Sequence, residues 1–383
     1  MSAPEASAGD MLNTLRDLIN RSIDIIQEDL ATHHDPPLDL ASLTKHPLRE
    51  RHNEGVSRAL KCASSAGVML RALCEPDTWM HDIMFNFADL TALHVACQAD
   101  VANLLGDEPL DSESLAQKTG IDADKMSRHL RALCNLHIFQ ESAPNVFQNN
   151  NLSIALQSDS KRALVGLCAE ESRLASCKMW EALTEPGFKD AEASNKCAFN
   201  IAYDTNLNIF QYWERIRPDL GERGALAFAG KAMNEKQYLA LYPWADEPEE
   251  TLVVDVGGGV GGATLPIVAA FGNLRLLVQD LPETEIKFRK HLEEKYPIVG
   301  QSQRASFRAQ DFFQTNNTKH APIYFLRHVI HDWPEKEAVT LLQNLTEAMA
   351  PSSKILICEH MVLPTYADGQ ASSPQFGEIW EMK

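Results

Sequence analysis

The chain has 383 residues, a net charge of -18, 44% hydrophobic and 23% charged residues. That is material for two or three globular domains with a core of ordinary size, and so acidic a surface disfavours nucleic acid and anionic lipid as partners. The eight cysteines form no C-x-x-C pair, no apolar run reaches 18 residues, and the N-terminus lacks a basic region followed by an apolar stretch. Zinc knuckle, disulfide scaffold and membrane segment are therefore not indicated, and a reducing, cytoplasmic setting is expected.

In chain order, Met11, Leu12, Leu15, Leu18, Ile19, Ile23, Ile25 and Ile26 lay a helical stripe over residues 1 to about 35, which His33-His34-Asp35-Pro36-Pro37 ends. This end reads as a solvated terminus and not as a metal site, because three adjacent residues rarely converge on one ion. After a polar connector over 38–54, helices are expected at about 55–74 and 78–105. The second carries Met80, Ile83, Met84, Phe85, Phe87, Leu90, Leu93 and Val95, more apolar surface than one stripe needs, and the surplus is a candidate dimer face.

Between 107 and 157, Asp111 opens a short helix that Gly120 stops, and a second helix runs from Asp122 to about Leu136 with Met126, Leu130 and Leu133 on one face. Ile138-Phe139-Gln140 and Val146-Phe147-Gln148 then read as a hairpin, so the whole reads as a winged helix. Seven acidic residues stand against four basic ones over 107–157, a balance that cannot neutralise phosphates and argues against DNA reading. Residues 161–245 are expected to be mainly helical and hold most of the large aromatics, with Phe228 and Met233 the substrate-pocket candidates nearest in sequence to the glycine loop that follows.

Leu252-Val253-Val254-Asp255-Val256 is an apolar run of the kind that forms a buried parallel strand, and Gly257 to Gly262 after it let the backbone turn and approach a ligand. A second run, Leu274 to Val278, closes on Gln279-Asp280, 25 residues beyond Asp255. A carboxylate at that point suits a ribose diol. Gly257, Gly259 and Gly261 read G-x-G-x-G and not the dinucleotide pattern, and Asp255 would repel a pyrophosphate while tolerating a cation, which points from NAD toward S-adenosylmethionine. The alternation continues with a helix at about 283–295, a strand near 305, the strand 323–326, a helix at 335–349 and the strand 354–358. Five strands make a parallel sheet with its ligands at the carboxyl ends, where Asp255, Asp280, Asp311, Arg327, His331 and Glu359 fall. Asp311-Phe312 reads as an adenine site, the carboxylate accepting from the exocyclic amine and the ring packing on its face.

Asp255-Val-Gly-Gly-Gly-Val-Gly261, Asp280-Leu281-Pro, Asp311-Phe-Phe, Arg327-His-Val-Ile-His331-Asp332-Trp333 and Glu359-His-Met-Val-Leu-Pro364 resemble the plant caffeate and fungal polyketide class of S-adenosylmethionine-dependent O-methyltransferases. The resemblance spans about 55–365, and H-D-W is its most specific part. It implies an α/β fold: a Rossmann-like S-adenosylmethionine-binding sheet in 161–383, with a helical linker, and a helical, winged-helix homodimerisation domain in 1–160. His331 would be the general base, Asp332 would help place it and Glu359 would orient the imidazole. Asp255, Gly257, Gly259, Asp280, Leu281, Asp311, Phe312 and Arg327 would hold the cofactor, with no metal. The acceptor would be the phenolic or enolic hydroxyl of an aromatic or polyketide-like small molecule. The family continues with a helix, a second acidic residue and two strands beyond where this sequence ends at Lys383, so either the sequence is a truncated version or another surface covers the edge of the C-terminally incomplete sheet, and methyl transfer is expected to be weakened or abolished while cofactor binding persists. A cyclase or pericyclase on the same fold, and a non-catalytic dimeric binding protein, are the alternatives.

Overall fold

A computed structural model describes residues 8–49, 51, 53–229 and 239–359. The chain divides into two compact units after Val165. In the first, helices α1 (Ala8–His33) and α2 (Glu54–Cys74) pack through Ile26, Leu48, Val56 and Ala59. The end of α1 is not simply solvated. Asp35 and the buried Asp29 both accept from Arg51, and Asn53, which caps α2 by accepting from the Val56 N–H, also donates to Asp29 at 2.9 Å. The guanidinium holds the Asp35 carboxyl below its ordinary range.

The helix expected over 78–105 is two. Helix α3 (Pro76–Gln98) opens on a proline at its first turn, and α4 (Val101–Leu105) follows a break at Asp100, which takes φ 52°. An aspartate tolerates that left-handed turn, and the turn sends Val101, Ala102 and Leu105 into the core. Helix α5 (Ser112–Thr119) is capped by Asp111 and closed by Gly120 at φ 74°, and α6 (Ala123–Asn135) is capped by Asp122. Met126, Leu130 and Leu133 are fully buried, as the stripe requires.

The hairpin tightens beyond expectation. Strands β2 (Gln140–Ala143) and β3 (Val146–Gln148) pair across Pro144-Asn145, with Asn145 at φ 62°, so the first strand begins at Gln140, after Ile138 and Phe139, and runs on to Ala143. The short β1 (Leu110–Asp111) adds to the other side of β3. No helix among the described residues is long and apolar enough to cross a membrane.

In the second unit, short helices over Arg173–Ala229 precede the sheet formed by β4 (Thr251–Val256), β5 (Leu274–Asp280), β6 (Ala305–Ala309), β7 (Ile323–Arg327) and β8 (Lys354–Cys358). All pairs are parallel and the order is β6-β5-β4-β7-β8. The chain steps outward from β4 in one direction and then in the other, so the loops after β4 and β7 part over a crevice at the carboxyl edge. Apolar cores lie on both faces, Val253, Leu276, Val278 and Phe325 with Trp244 on one, and Val254, Val256, Leu326 and Leu341 on the other. This two-sided burial is why the strands read as unbroken apolar runs and not as alternation.

Leu130→Ala removes a fully buried side chain from the α6 stripe. It is expected to lower the stability of the N-terminal unit by about 2–5 kcal/mol, read as a shift of the urea midpoint. An unchanged midpoint would refute the core assignment.

Candidate active site

The glycine loop after β4 hangs on the neighbouring strand, with the N–H groups of Gly257 and Gly258 donating to the Gln279 carbonyl at 2.8 and 3.2 Å. Gly257 has φ 68°, and a Cβ there would stand 3.0 Å from Val329 and 3.3 Å from the Phe312 ring. The loop thus packs against both the segment after β6 and the segment after β7, too closely for a side chain at Gly257.

Asp255 lies beneath this loop and not at its lip. It is 2% exposed, its Oδ2 accepts from the Thr264 hydroxyl at 2.6 Å, and a Cβ on Gly258 would stand 2.4 Å from its carboxyl carbon. Burial pushes its pKa from 3.8 up to about 7, with Thr264 and the Arg327 charge opposing the rise and Asp280 adding to it. Its charge at neutral pH is therefore partial, which weakens the expected repulsion of a pyrophosphate. Asp280, closing β5, accepts from the Gly259 N–H and the Leu281 N–H, both at 2.8 Å, and from the Thr284 hydroxyl at 3.2 Å. Burial raises its pKa while those donors hold it down. Leu281 is 37% exposed beside it.

Strand β6 stops at Ala309, so Asp311 and Phe312 sit on the loop beyond. Asp311 accepts from the Phe313 N–H at 2.9 Å, and the Phe312 carbonyl accepts from Asn344 at 3.1 Å. Arg327 ends β7 and is half-buried.

The turn Ile330–Asp332 follows β7. Glu359, directly after β8, accepts from the Val329 and Ile330 N–H groups at 2.8 and 2.9 Å with one oxygen and lies 2.5 Å from His331 Nδ1 with the other. Asp332 Oδ1 is 3.4 Å from His331 Nε2, and the imidazole is 44% exposed. The Trp333 ring meets Phe313 at 4.7 Å, Phe312 at 5.7 Å and Phe210 at 5.9 Å. Phe210 continues to Trp213 at 5.8 Å, and Trp213 to Phe228 at 6.0 Å. Phe228 is thus joined to the H-D-W segment through two rings, and Met233 falls outside the described residues.

Asp280 and His331 share the carboxyl edge of one sheet, on either side of β4. Sequence reasoning missed Thr264 and Thr284, which carry no motif, and it missed Gln279. A signal for Gln279 was present, since a buried amide interrupts an otherwise apolar strand.

The O-methyltransferase domain family matches residues 192–376, and the O-methyltransferase dimerisation domain family matches residues 81–159. The "3-O-methyltransferase 2" of Phanerochaete chrysosporium is 31% identical over 301 residues, covering 77% of this chain and 67% of the relative. The solved mitomycin 7-O-methyltransferase MmcR is 25% identical with a TM-score of 0.64, over 79% of this chain and 85% of that one. A solved pericyclic reaction enzyme shares the fold at 22% identity and a TM-score of 0.69, over 83% and 81% of the two chains. The chain belongs to the S-adenosylmethionine-dependent O-methyltransferases, as an enzyme of the class that joins an O-methyltransferase domain to a dimerisation domain.

Proposed function

We propose that this enzyme methylates the phenolic or enolic hydroxyl of an aromatic, polyketide-like small molecule, with His331 as general base. The observation that carries this reading is the 2.5 Å contact between His331 Nδ1 and Glu359. With Nδ1 donating to a carboxylate, a neutral imidazole keeps its lone pair on Nε2. A phenol has a pKa near ~10 and an imidazole near ~6.5, so Nε2 takes the proton only as charge grows on the acceptor oxygen. Asp332, 3.4 Å from that nitrogen, then faces the imidazolium and steadies it. Glu359 is itself held by two backbone N–H groups, so the ring is oriented by a fixed carboxylate.

The residues present fit an adenosyl ligand. Gly259, where a Cβ would meet nothing within 4 Å, leaves its path clear, Gly257 lets the loop close on Phe312, Asp280 offers a carboxylate to the ribose diol with Leu281 beside it, and Asp311 and Phe312 suit the edge and face of adenine. S-adenosylmethionine supplies the electrophilic methyl when bound. Asp255 and Arg327 set the field beneath that site, and desolvation and alignment are what the surrounding side chains add. The ring series from Phe228 to Trp333 supports a flat, apolar acceptor, and Met233 belongs to the same proposal on sequence position alone. The likeness to a pericyclic enzyme is one of fold, and the retained His331 and Glu359 pair favours methyl transfer over cyclisation. We further propose a homodimer through the N-terminal unit, supported by the dimerisation-domain match and by Met80, Ile83, Met84, Phe85 and Phe87, all exposed on α3.

Replacing His331 with Ala is expected to lower turnover on a phenol panel by about 10²- to 10⁴-fold with S-adenosylhomocysteine binding unchanged; near-wild-type turnover would remove the proposed base. Because burial raises the Asp255 carboxyl to about 7, its charged fraction, and with it the attraction for a cation bound above it, grows as pH rises through that value. Calorimetry is therefore expected to show S-adenosylmethionine gaining affinity over neutral-sulfur S-adenosylhomocysteine as pH rises through 7, and a flat ratio would count against this placement. Sedimentation at micromolar concentration is expected to give a dimer, a monomer being the contrary result.

A further inference from the structure

The three loops that shape the proposed cofactor site converge on one residue that no ligand would touch. Gln279 is 1% exposed, directly before Asp280. Its carbonyl takes the N–H groups of the glycine loop, as described above. Its side chain points the other way, into a buried polar cluster. The Gln279 and Asn316 amides exchange two hydrogen bonds, at 2.8 and 3.1 Å, and Gln279 Nε2 also donates to the Thr318 hydroxyl at 2.8 Å. Asn316 is 0% and Thr318 7% exposed, and the Thr318 N–H donates to Asn316 Oδ1 at 2.8 Å. The Tyr324 hydroxyl donates to the Thr318 carbonyl at 2.7 Å, which anchors the cluster to β7.

This cluster closes the loop that starts at Gln310. The Gln310 N–H donates to the Asp280 carbonyl at 2.9 Å, its side chain donates to the Asp311 carbonyl at 2.8 Å, and it accepts from the Asn317 N–H at 3.1 Å. Asp311 and Phe312 are therefore carried on a loop with both ends tied to Gln279-Asp280. Buried amides bonded to one another in this way hold one arrangement, because any displacement strands several polar groups out of reach of water.

We propose that Gln279 is a positioning residue for the adenine end of the methyl donor. Through Asn316 and Thr318 it fixes where Asp311 meets the exocyclic amine and where Phe312 meets the ring, and so sets the preference for an adenine over a 6-oxopurine. This rests on the cofactor reading given above.

The test is the binding of S-adenosylhomocysteine and S-inosylhomocysteine to the full chain by calorimetry, beside thermal unfolding. Wild type is expected to prefer the adenosyl ligand, and Gln279→Met is expected to reduce that preference by about tenfold or more by loosening the adenine wall. Thr318→Val, nearly the same shape with one hydroxyl fewer, is expected to move the preference in the same direction by less, and it serves where the methionine variant does not fold. A lowered melting temperature with an unchanged adenosyl-to-inosyl ratio in the folded variants overturns the proposal, because a merely structural role would do just that. Failure of wild type to bind S-adenosylhomocysteine would instead overturn the cofactor reading itself.

Discussion

The site depends on keeping two carboxylates side by side at the end of a buried parallel sheet. Asp255 and Asp280 lie at the carboxyl ends of neighbouring strands, where burial raises the cost of charge on both and the Asp280 charge adds to it at Asp255. What makes the arrangement tolerable is a ring of donors: Thr264 for one acid, and Gly259, Leu281 and Thr284 for the other. The glycines follow from this. Gly258 must lack a side chain because Asp255 occupies the space, and Gly257 because Val329 and Phe312 do. A cationic ligand over such acids relieves a cost that the empty fold carries.

The second half of the site uses the opposite logic. His331 is half-exposed, while the Glu359 carboxylate 2.5 Å from its Nδ1 is pinned by two backbone N–H groups at the start of a short turn. In the proposed mechanism orientation comes from the sheet, through Glu359 after β8, and reactivity from the loop after β7. Trp333 packs that loop on the Phe312 and Phe313 pair, so the proposed base and the proposed adenine wall share one aromatic contact.

The N-terminal unit shows a different division of labour. Its cores are ordinary, with Leu115, Met126, Leu130 and Phe147 inside, yet α3 leaves Phe85 and Phe87 more than half exposed. Large aromatics in water along the first half of a helix whose buried residues, Ala92, Ala96 and Cys97, all lie near its other end fit the association surface proposed above.

Sequence alone determined the α/β alternation, the capped helices of the N-terminal unit and the identity of the polar residues at the strand ends. Each of these is written locally: apolar runs, caps at Asp111 and Asp122, and a carboxylate or imidazole just after a strand. The H-D-W segment with Glu359 was legible as a family resemblance. The break at Asp100 and the hidden position of Asp255 were not, since a left-handed turn and a buried acid depend on what packs around them. Only the tertiary structure decided that Gln279 ties three loops together, because its partners Asn316 and Thr318 lie 37 and 39 residues away and a side chain's hydrogen bonds are chosen by the fold and not by its neighbours in the chain.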